Sequence, residues 1–335
     1  MSTKILGHNK LRFTLNSLAA NSKLPNALIL SGPESIGKYL VAQELTEYLT
    51  CLNRPAHTLD DSNFGGCKTC RNCSLLASSN YPDLKFIDCQ LESDRDINRL
   101  RTILNGMLME SFSGSARILL IRDLELFSIA AANLLLKAIE ESRGNSFFIL
   151  TSNNINRIPN TVRSRCQCYN FGMLDPETLT TICSTLINTR DLKSNEFESL
   201  DWAISGTVSG ALQSIKNKAE LEKIKALYDE LESGSTTAAF KLANLVHEQK
   251  QDSQYLVRAM IELTHQRLTQ SHLKSRPWAL LLENLQTAER LINERHLNSQ
   301  YVLANIFINF SQQVTCRNST TETEKCLNDI IQDAI

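Results

Sequence analysis

The sequence predicts an α/β domain with a parallel sheet, followed by helical segments. In the first half of the chain, short apolar runs of strand type alternate with helical patterns, which is typical of parallel sheets. From Asp175 onward the strand signal almost disappears, and amphipathic helical patterns follow one another. A length of 335 residues also favours two or three domains over a single core.

The elements of the first half follow from periodicity and from turn residues between the runs. A helical pattern over 5–24 leads, past Pro25, to an apolar strand over 26–31. Later strands are predicted over 84–87, 117–121 and 146–150. Helices are predicted between these strands over 38–49, 97–108 and 130–141.

The second half contains only helical patterns and a polar tail. The predicted helices cover 176–186, 200–216, 218–231, 236–249, 254–270, 278–293 and 299–314. Changes of character near Phe171 and Lys218 give three predicted domains, over 1–171, 172–217 and 218–335.

Composition limits the kind of protein. Hydrophobic residues make up 42% and charged residues 21%, as in soluble globular proteins. The net charge of −1 provides no general basic field for nucleic acid. We find no signal-peptide pattern and no apolar run of bilayer length, so we expect a cytoplasmic chain without a membrane partner. In a reducing compartment, ten cysteines favour metal binding over disulfides.

A glycine-rich turn joins the first strand to the next helix. Gly32, Gly37 and Lys38 have the spacing G-x-x-x-x-G-K of a phosphate-binding loop. That motif requires Ser or Thr next, because a short hydroxyl holds Mg²⁺. Here the residue is Tyr39, whose oxygen lies at the far end of a ring. The loop therefore has a nucleotide-binding pattern without one catalytic group, and the alternative is a loop that only shapes the fold.

Four cysteines indicate a metal site. Cys67, Cys70 and Cys73 lie within seven residues, and Cys51 ends the preceding helix. Thiolates at this spacing can share one tetrahedral Zn²⁺, and four protein ligands would leave no open position for catalysis. His57 is the second candidate for the fourth ligand, and a cluster of thiols without metal is the alternative reading.

The third apolar strand ends in Arg122-Asp123-Leu124-Glu125. Phosphate-binding-loop ATPases have an Asp here to hold Mg²⁺ and a following acid to activate water. In one register Arg122 replaces the metal-holding Asp, and in the other Leu124 replaces the second acid. Either register predicts that hydrolysis is lost.

Arg165 follows the strand over 146–150 and should lie at the edge of the sheet. An arginine at such an edge can reach a nucleotide bound by a neighbouring subunit and stabilise the charge on its γ-phosphate. Most surface arginines are simply solvated, so spacing alone does not decide between the two roles.

Taken together, these motifs resemble one family. The phosphate-binding loop, the cysteine-rich segment, the run Asn-Leu-Leu-Leu-Lys-Ala-Ile-Glu-Glu at 133–141 and Ser164-Arg165-Cys166 occur in the order seen in bacterial DNA polymerase III clamp-loader subunits, which are of the AAA+ class. The resemblance is strong over 7–171 and weaker beyond. It implies an AAA+ domain over 1–171 with a zinc-binding insertion at 51–73, an all-α lid over 172–217 and an all-α collar over 218–335.

Within that family the sequence resembles the subunit that does not hydrolyse ATP. Tyr39 and Arg122 support this assignment, and so does Gly206-Thr207-Val208-Ser209, where the family's sensor arginine is missing. The resemblance implies gamma/tau and delta subunits as partners, with the sliding clamp and primed DNA contacted indirectly. It gives Arg165 a role in trans at a gamma/tau ATP site.

Two other functions remain open. One is an ATP-hydrolysing subunit like gamma/tau that tolerates Tyr39. The other is a zinc-dependent nucleic-acid-binding module, against which the near-neutral net charge speaks.

Overall fold

The computed structural model describes residues 5–56, 64–107, 116–142, 145–188, 206–249, 252–270, 275–295 and 299–332. The chain divides into two compact units, Met1–Thr185 and Leu186–Ile335. The finer division into lid and collar at residue 217 stays a prediction.

The predicted parallel sheet is confirmed. It has five parallel strands in the order β2-β3-β4-β1-β5. The strands are β1 (Ala27–Ser31), β2 (Leu84–Asp88), β3 (Arg117–Arg122), β4 (Ser146–Ser152) and β5 (Gln167–Asn170). Because parallel strands point the same way, the residues after β1, β3 and β4 meet at one edge of the sheet.

The fifth strand corrects the sequence prediction, which ended the sheet at 146–150. β5 is only four residues long, and its sequence Gln-Cys-Tyr-Asn carries no apolar run. It pairs with β1 on one side, and three of its four residues are exposed. Outer strands need not be apolar on both faces, so pattern alone did not reveal it.

Helices cover both faces of the sheet. Alternate residues of β1 enter different clusters: Leu28 and Leu30 pack with α2 on one face, and Ile29 packs with α5 on the other. Such two-sided burial explains the continuous apolar sequence of the central strands. The helices that begin in this unit are α1 (Asn9–Ala20), α2 (Lys38–Thr50), α3 (Arg71–Ala77), α4 (Ile97–Met107), α5 (Ile129–Glu141), α6 (Asn160–Arg163) and α7 (Pro176–Asn188).

In the second unit, the described residues form helices and the short segments that join them. Its core includes Tyr228, Trp278 and Phe307, and the hydroxyl of Tyr228 donates to the carbonyl of Met260 (3.1 Å). The helices are α8 (Val208–Lys216), α9 (Lys218–Glu232), α10 (Thr236–Glu248), α11 (Ser253–Gln270), α12 (Ser275–Arg295) and α13 (Ser299–Gln332).

Two helix predictions for this unit differ in extent from what the structure describes. The first part of the helix predicted over 200–216 lies outside the described residues, and the helix predicted over 299–314 continues to Gln332. Among the described helices, none combines the length and apolarity needed to cross a bilayer.

Candidate functional site

The phosphate-binding-loop sequence lies between β1 and α2, as predicted. Gly37 caps α2 with a φ of 95°, a left-handed conformation that glycine adopts without strain. A Cβ on Gly32 would overlap the carbonyl oxygen of Phe171, whose N–H donates to the carbonyl of Ser31 (2.7 Å). The segment after β5 therefore lies directly against the start of the loop.

Lys38 is turned inward. Its side chain is buried, and Nζ donates to the carbonyls of Gly32 (2.9 Å) and Pro33 and to Oδ1 of Asn153 (2.7 Å). An ammonium group has three protons, so these three acceptors use its full donor capacity. Burial lowers the pKa of Lys38. The ammonium group that would contact a phosphate is therefore bound to acceptors of the chain itself.

Tyr39 and Arg122, two departures from the ATPase pattern, contact each other. The guanidinium carbon of Arg122 lies 5.7 Å from the centroid of the Tyr39 ring, within the range of a cation–π interaction. Arg122 also pairs with Asp88 (3.3 Å), and the ring of Tyr39 lies 5.5 Å from that of Phe86. Burial raises the pKa of the Tyr39 hydroxyl. A cation and an aromatic ring therefore meet where Mg²⁺ would need a hydroxyl and a carboxylate.

A network of polar side chains around buried Asp123 lies beside this pair. Asp123 accepts from Nδ2 of Asn153 (3.0 Å) and Nε2 of Gln90 (2.7 Å). Glu125 accepts from the main-chain N–H of Asn153 (2.8 Å). Asn153 also binds Lys38, so it links the loop after β1 to the acids after β3. No sequence motif marks Asn153 or Glu125, although both follow strand ends.

Arg165 lies just before β5 and is exposed. Its Nε pairs with Glu140 of α5, and its Nη1 donates to the carbonyl of Thr161 (3.2 Å) and to Oγ of Ser164 (3.4 Å). The side chain is 43% exposed. The neighbouring Cys166 is buried in the core. No local sequence pattern connects Glu140 with Arg165.

In the second unit, Thr207 caps α8 by accepting from the N–H of Gly210 (3.2 Å). Val208 and Ser209 begin that helix, so both lie in its first turn.

The structure brings together the four predicted cysteines. The sulfurs of Cys51, Cys67, Cys70 and Cys73 all lie within 4.8 Å of one another, and those of Cys51 and Cys70 are 4.0 Å apart. In a tetrahedral zinc–thiolate site with bonds of about 2.3 Å, sulfurs lie about 3.8 Å apart. The cluster therefore fits Zn²⁺ with small movements. His57, the alternative ligand, lies outside the described residues.

Main-chain contacts support the cysteine cluster. The N–H of Cys67 donates to the sulfur of Cys51 (3.2 Å), and that of Cys70 donates to the sulfur of Cys67 (3.3 Å). Hydrogen bonds from the side chain and N–H of Thr69 help lower the pKa of Cys67 to about 6. A Cβ on Gly66 would lie 2.6 Å from the sulfur of Cys73, so only glycine fits there.

A buried amide anchors the cluster to α2. The side chain of Asn72 donates to the carbonyl of Thr50 (2.9 Å), one residue before Cys51. This contact holds the segment of three cysteines against the end of the helix that follows the phosphate-binding loop.

The parallel sheet, the glycine loop before α2 and the exposed arginine before β5 define an α/β domain of the phosphate-binding-loop class. A family model described as DNA polymerase III, delta subunit, matches residues 7–175, about half of the chain. The chain therefore belongs to this family, as a DNA polymerase III clamp-loader subunit of the delta-prime type.

Individual relatives agree with this assignment. The delta-prime subunit of Pseudomonas aeruginosa is 29% identical over 152 residues, 45% of this chain and 44% of that protein. The tau subunit of Bacillus subtilis is 24% identical over 252 residues, 73% of this chain and 43% of that protein. The match thus spans less than half the length of these two relatives.

Among solved structures, a gamma subunit-related protein from Thermotoga maritima is 18% identical to this chain. The alignment covers 90% of this chain and 99% of that structure, with a TM-score of 0.41.

Proposed function

We propose that this chain is a non-hydrolysing clamp-loader subunit that lends Arg165 to the ATP site of a neighbouring gamma/tau subunit. In this role it supports ATP-driven loading of the sliding clamp on primed DNA. The contact between Tyr39 and Arg122 carries the first part of the proposal.

Magnesium binding is the step that this contact prevents. Mg²⁺ needs oxygen ligands in a near-octahedral arrangement, and a neighbouring guanidinium repels it. Lys38 adds to this effect, because its three donors are bound to acceptors of the chain itself. Gly32, Gly37 and Lys38 therefore keep the loop's backbone shape, and we do not expect them to bind ATP productively.

Arg165 supports the second part of the proposal. In ATP hydrolysis, the oxygen of water bonds to the γ-phosphorus while the bond to the β–γ bridging oxygen breaks, and ADP, phosphate and a proton are released. A guanidinium beside the γ-phosphate stabilises the charge on the transferring group. Arg165 is exposed just before an outer strand, where a neighbouring subunit can be reached.

The remaining parts of the chain have supporting roles in this proposal. Four cysteine ligands would close the coordination of Zn²⁺, so the metal would stabilise the fold and take no part in catalysis. The regions 172–217 and 218–335 would form the lid and the collar that holds the subunits together. Gamma/tau and delta are the direct partners, and a replication protein of this kind works in the cytoplasm.

Reconstitution tests the role of Arg165. The chain is assembled with gamma/tau and delta, and steady-state ATP hydrolysis is measured with the clamp and primed DNA present. Arg165→Ala should lower turnover at the one site that it serves, where such fingers contribute about 10³–10⁵ in rate. Arg157→Ala, which removes another exposed arginine from the segment between β4 and β5, is the control. Turnover equal to that of the control, in a complex of normal composition, refutes the role.

A second candidate is an ATP-hydrolysing subunit, which the match to the tau subunit over 73% of the chain favours. Steady hydrolysis by the isolated chain, abolished by Lys38→Ala, would establish that function in place of the first. The third, a zinc-dependent nucleic-acid-binding module, requires salt-sensitive DNA binding that a chelator removes.

A further inference from the structure

Arg165 is fixed by contacts on one side of its guanidinium group. Nε is paired with Glu140, and Nη1 donates to the carbonyl of Thr161 and to Oγ of Ser164. Nη2 has no hydrogen-bond partner among the described residues. The group is therefore anchored through Nε and Nη1, with its outer nitrogen available.

We propose that Glu140 is a positioning residue that fixes the orientation of the Arg165 guanidinium, so that Nη2 is presented to the γ-phosphate of a nucleotide on the neighbouring subunit. This inference rests on the proposed function, because it assigns a role to Glu140 only if Arg165 acts in trans.

The chemistry of the guanidinium favours this arrangement. It is planar with five N–H donors, so a bond at Nε fixes the direction in which the Nη donors point. A free arginine loses much rotamer freedom when it binds, and an arginine held in advance loses less. Since Glu140 contacts the Nε side, it leaves the donors of Nη2 for phosphate oxygens.

The next residue on α5 provides a matched comparison. Glu141 has the same chemistry and similar exposure, but it pairs with Lys137 one turn earlier (3.9 Å). Replacing Glu140 or Glu141 removes one carboxylate from the same helix. Only the replacement of Glu140 also removes the contact with Arg165. A difference between the two variants therefore reports the contact and not the loss of charge.

The experiment compares Glu140→Ala, Glu141→Ala, Arg165→Ala and the double variant of Glu140 and Arg165, each reconstituted with gamma/tau and delta. We expect Glu140→Ala to lower the arginine-dependent part of ATP turnover about 2- to 12-fold, the value of ordering one long side chain. Glu141→Ala should match the unmodified chain. In the Arg165→Ala background, Glu140→Ala should cause no further loss, because Glu140 acts through Arg165.

A second variant separates positioning from folding. Glu140→Gln keeps an acceptor oxygen at the same distance, so it should retain more turnover than Glu140→Ala at equal thermal stability. Unchanged or increased turnover in Glu140→Ala, or a further loss in the double variant, overturns the role of Glu140 while Arg165 keeps its own. If Arg165→Ala itself leaves turnover unchanged, the proposed function is wrong and this inference is wrong with it.

Discussion

Replacing Cys73 by serine should abolish tight zinc binding. Cys73 is nearly buried, and its sulfur belongs to a set of four that lie within 4.8 Å of one another. A tetrahedral zinc site needs separations of about 3.8 Å, so no pair has to approach by more than about 1 Å. Moving the four sulfurs into the tetrahedral arrangement therefore costs little binding free energy.

The magnitude follows from this fit. Structural zinc sites in small modules have apparent binding free energies of about 10–16 kcal/mol, which correspond to dissociation constants of about 10⁻⁷ to 10⁻¹² M. Loss of a group that merely supports a ligand weakens metal binding about 10- to 100-fold. Removing Cys73 itself should weaken it by more than that, and should loosen the segment that Gly66 and Asn72 hold against α2.

The assay measures zinc per chain by atomic spectroscopy after purification under reducing conditions, with a chromophoric chelator as competitor. The unmodified chain and the control Cys168→Ser, which replaces an exposed cysteine outside the cluster, should each hold about one zinc. Comparing Cys51→Ser with His57→Ala identifies the fourth ligand. Only a trace of zinc in the unmodified chain, or full zinc in Cys73→Ser, refutes the proposed site.

Two further predictions concern α2 and the degenerate nucleotide site. Glu44→Gln should lower the free energy of unfolding by about 3–5 kcal/mol in urea titrations, because it removes the negative charge that lies 2.7 Å from the buried guanidinium of Arg12. Replacing both, as Arg12→Met with Glu44→Leu, should cost less, and equal losses would contradict this reasoning. Tyr39→Thr with Arg122→Asp should increase the affinity for Mg²⁺–ATP at least about tenfold in equilibrium binding, because it supplies a hydroxyl and a carboxylate. Each single variant is a control. Unchanged affinity in the double variant would show that Tyr39 and Arg122 do not prevent binding, and that the contacts of Lys38 alone exclude the nucleotide.

Local patterns were sufficient for much of the fold. The central strands β1, β3 and β4 are buried on both faces, so they appear in the sequence as continuous apolar runs between turn residues. The short outer strand β5 has no such run, because it pairs with β1 on one side and with no other strand among the described residues. Its place in the sheet depends on pairing with a strand far away in sequence.

The candidate sites also differ in how much of each one local sequence patterns predict. Cys67, Cys70 and Cys73 are close in sequence, so their spacing alone indicates a shared metal. The contact between Tyr39 and Arg122 joins the start of α2 to the end of β3, and no local pattern predicts it. Sequence alone marks both residues as departures from the ATPase pattern, but it does not indicate that they are neighbours.

By itself, the sequence determined which chemical groups this chain has and lacks: four clustered thiols, a glycine loop with Lys38, and no hydroxyl after it. Tertiary structure decided which distant side chains contact each other. It turned Lys38 toward Asn153 and joined Glu140 to Arg165. The physical reason is that parallel strands gather residues from distant parts of the chain at one edge of a sheet, where hydrogen bonds and charges act over a few ångströms regardless of sequence separation.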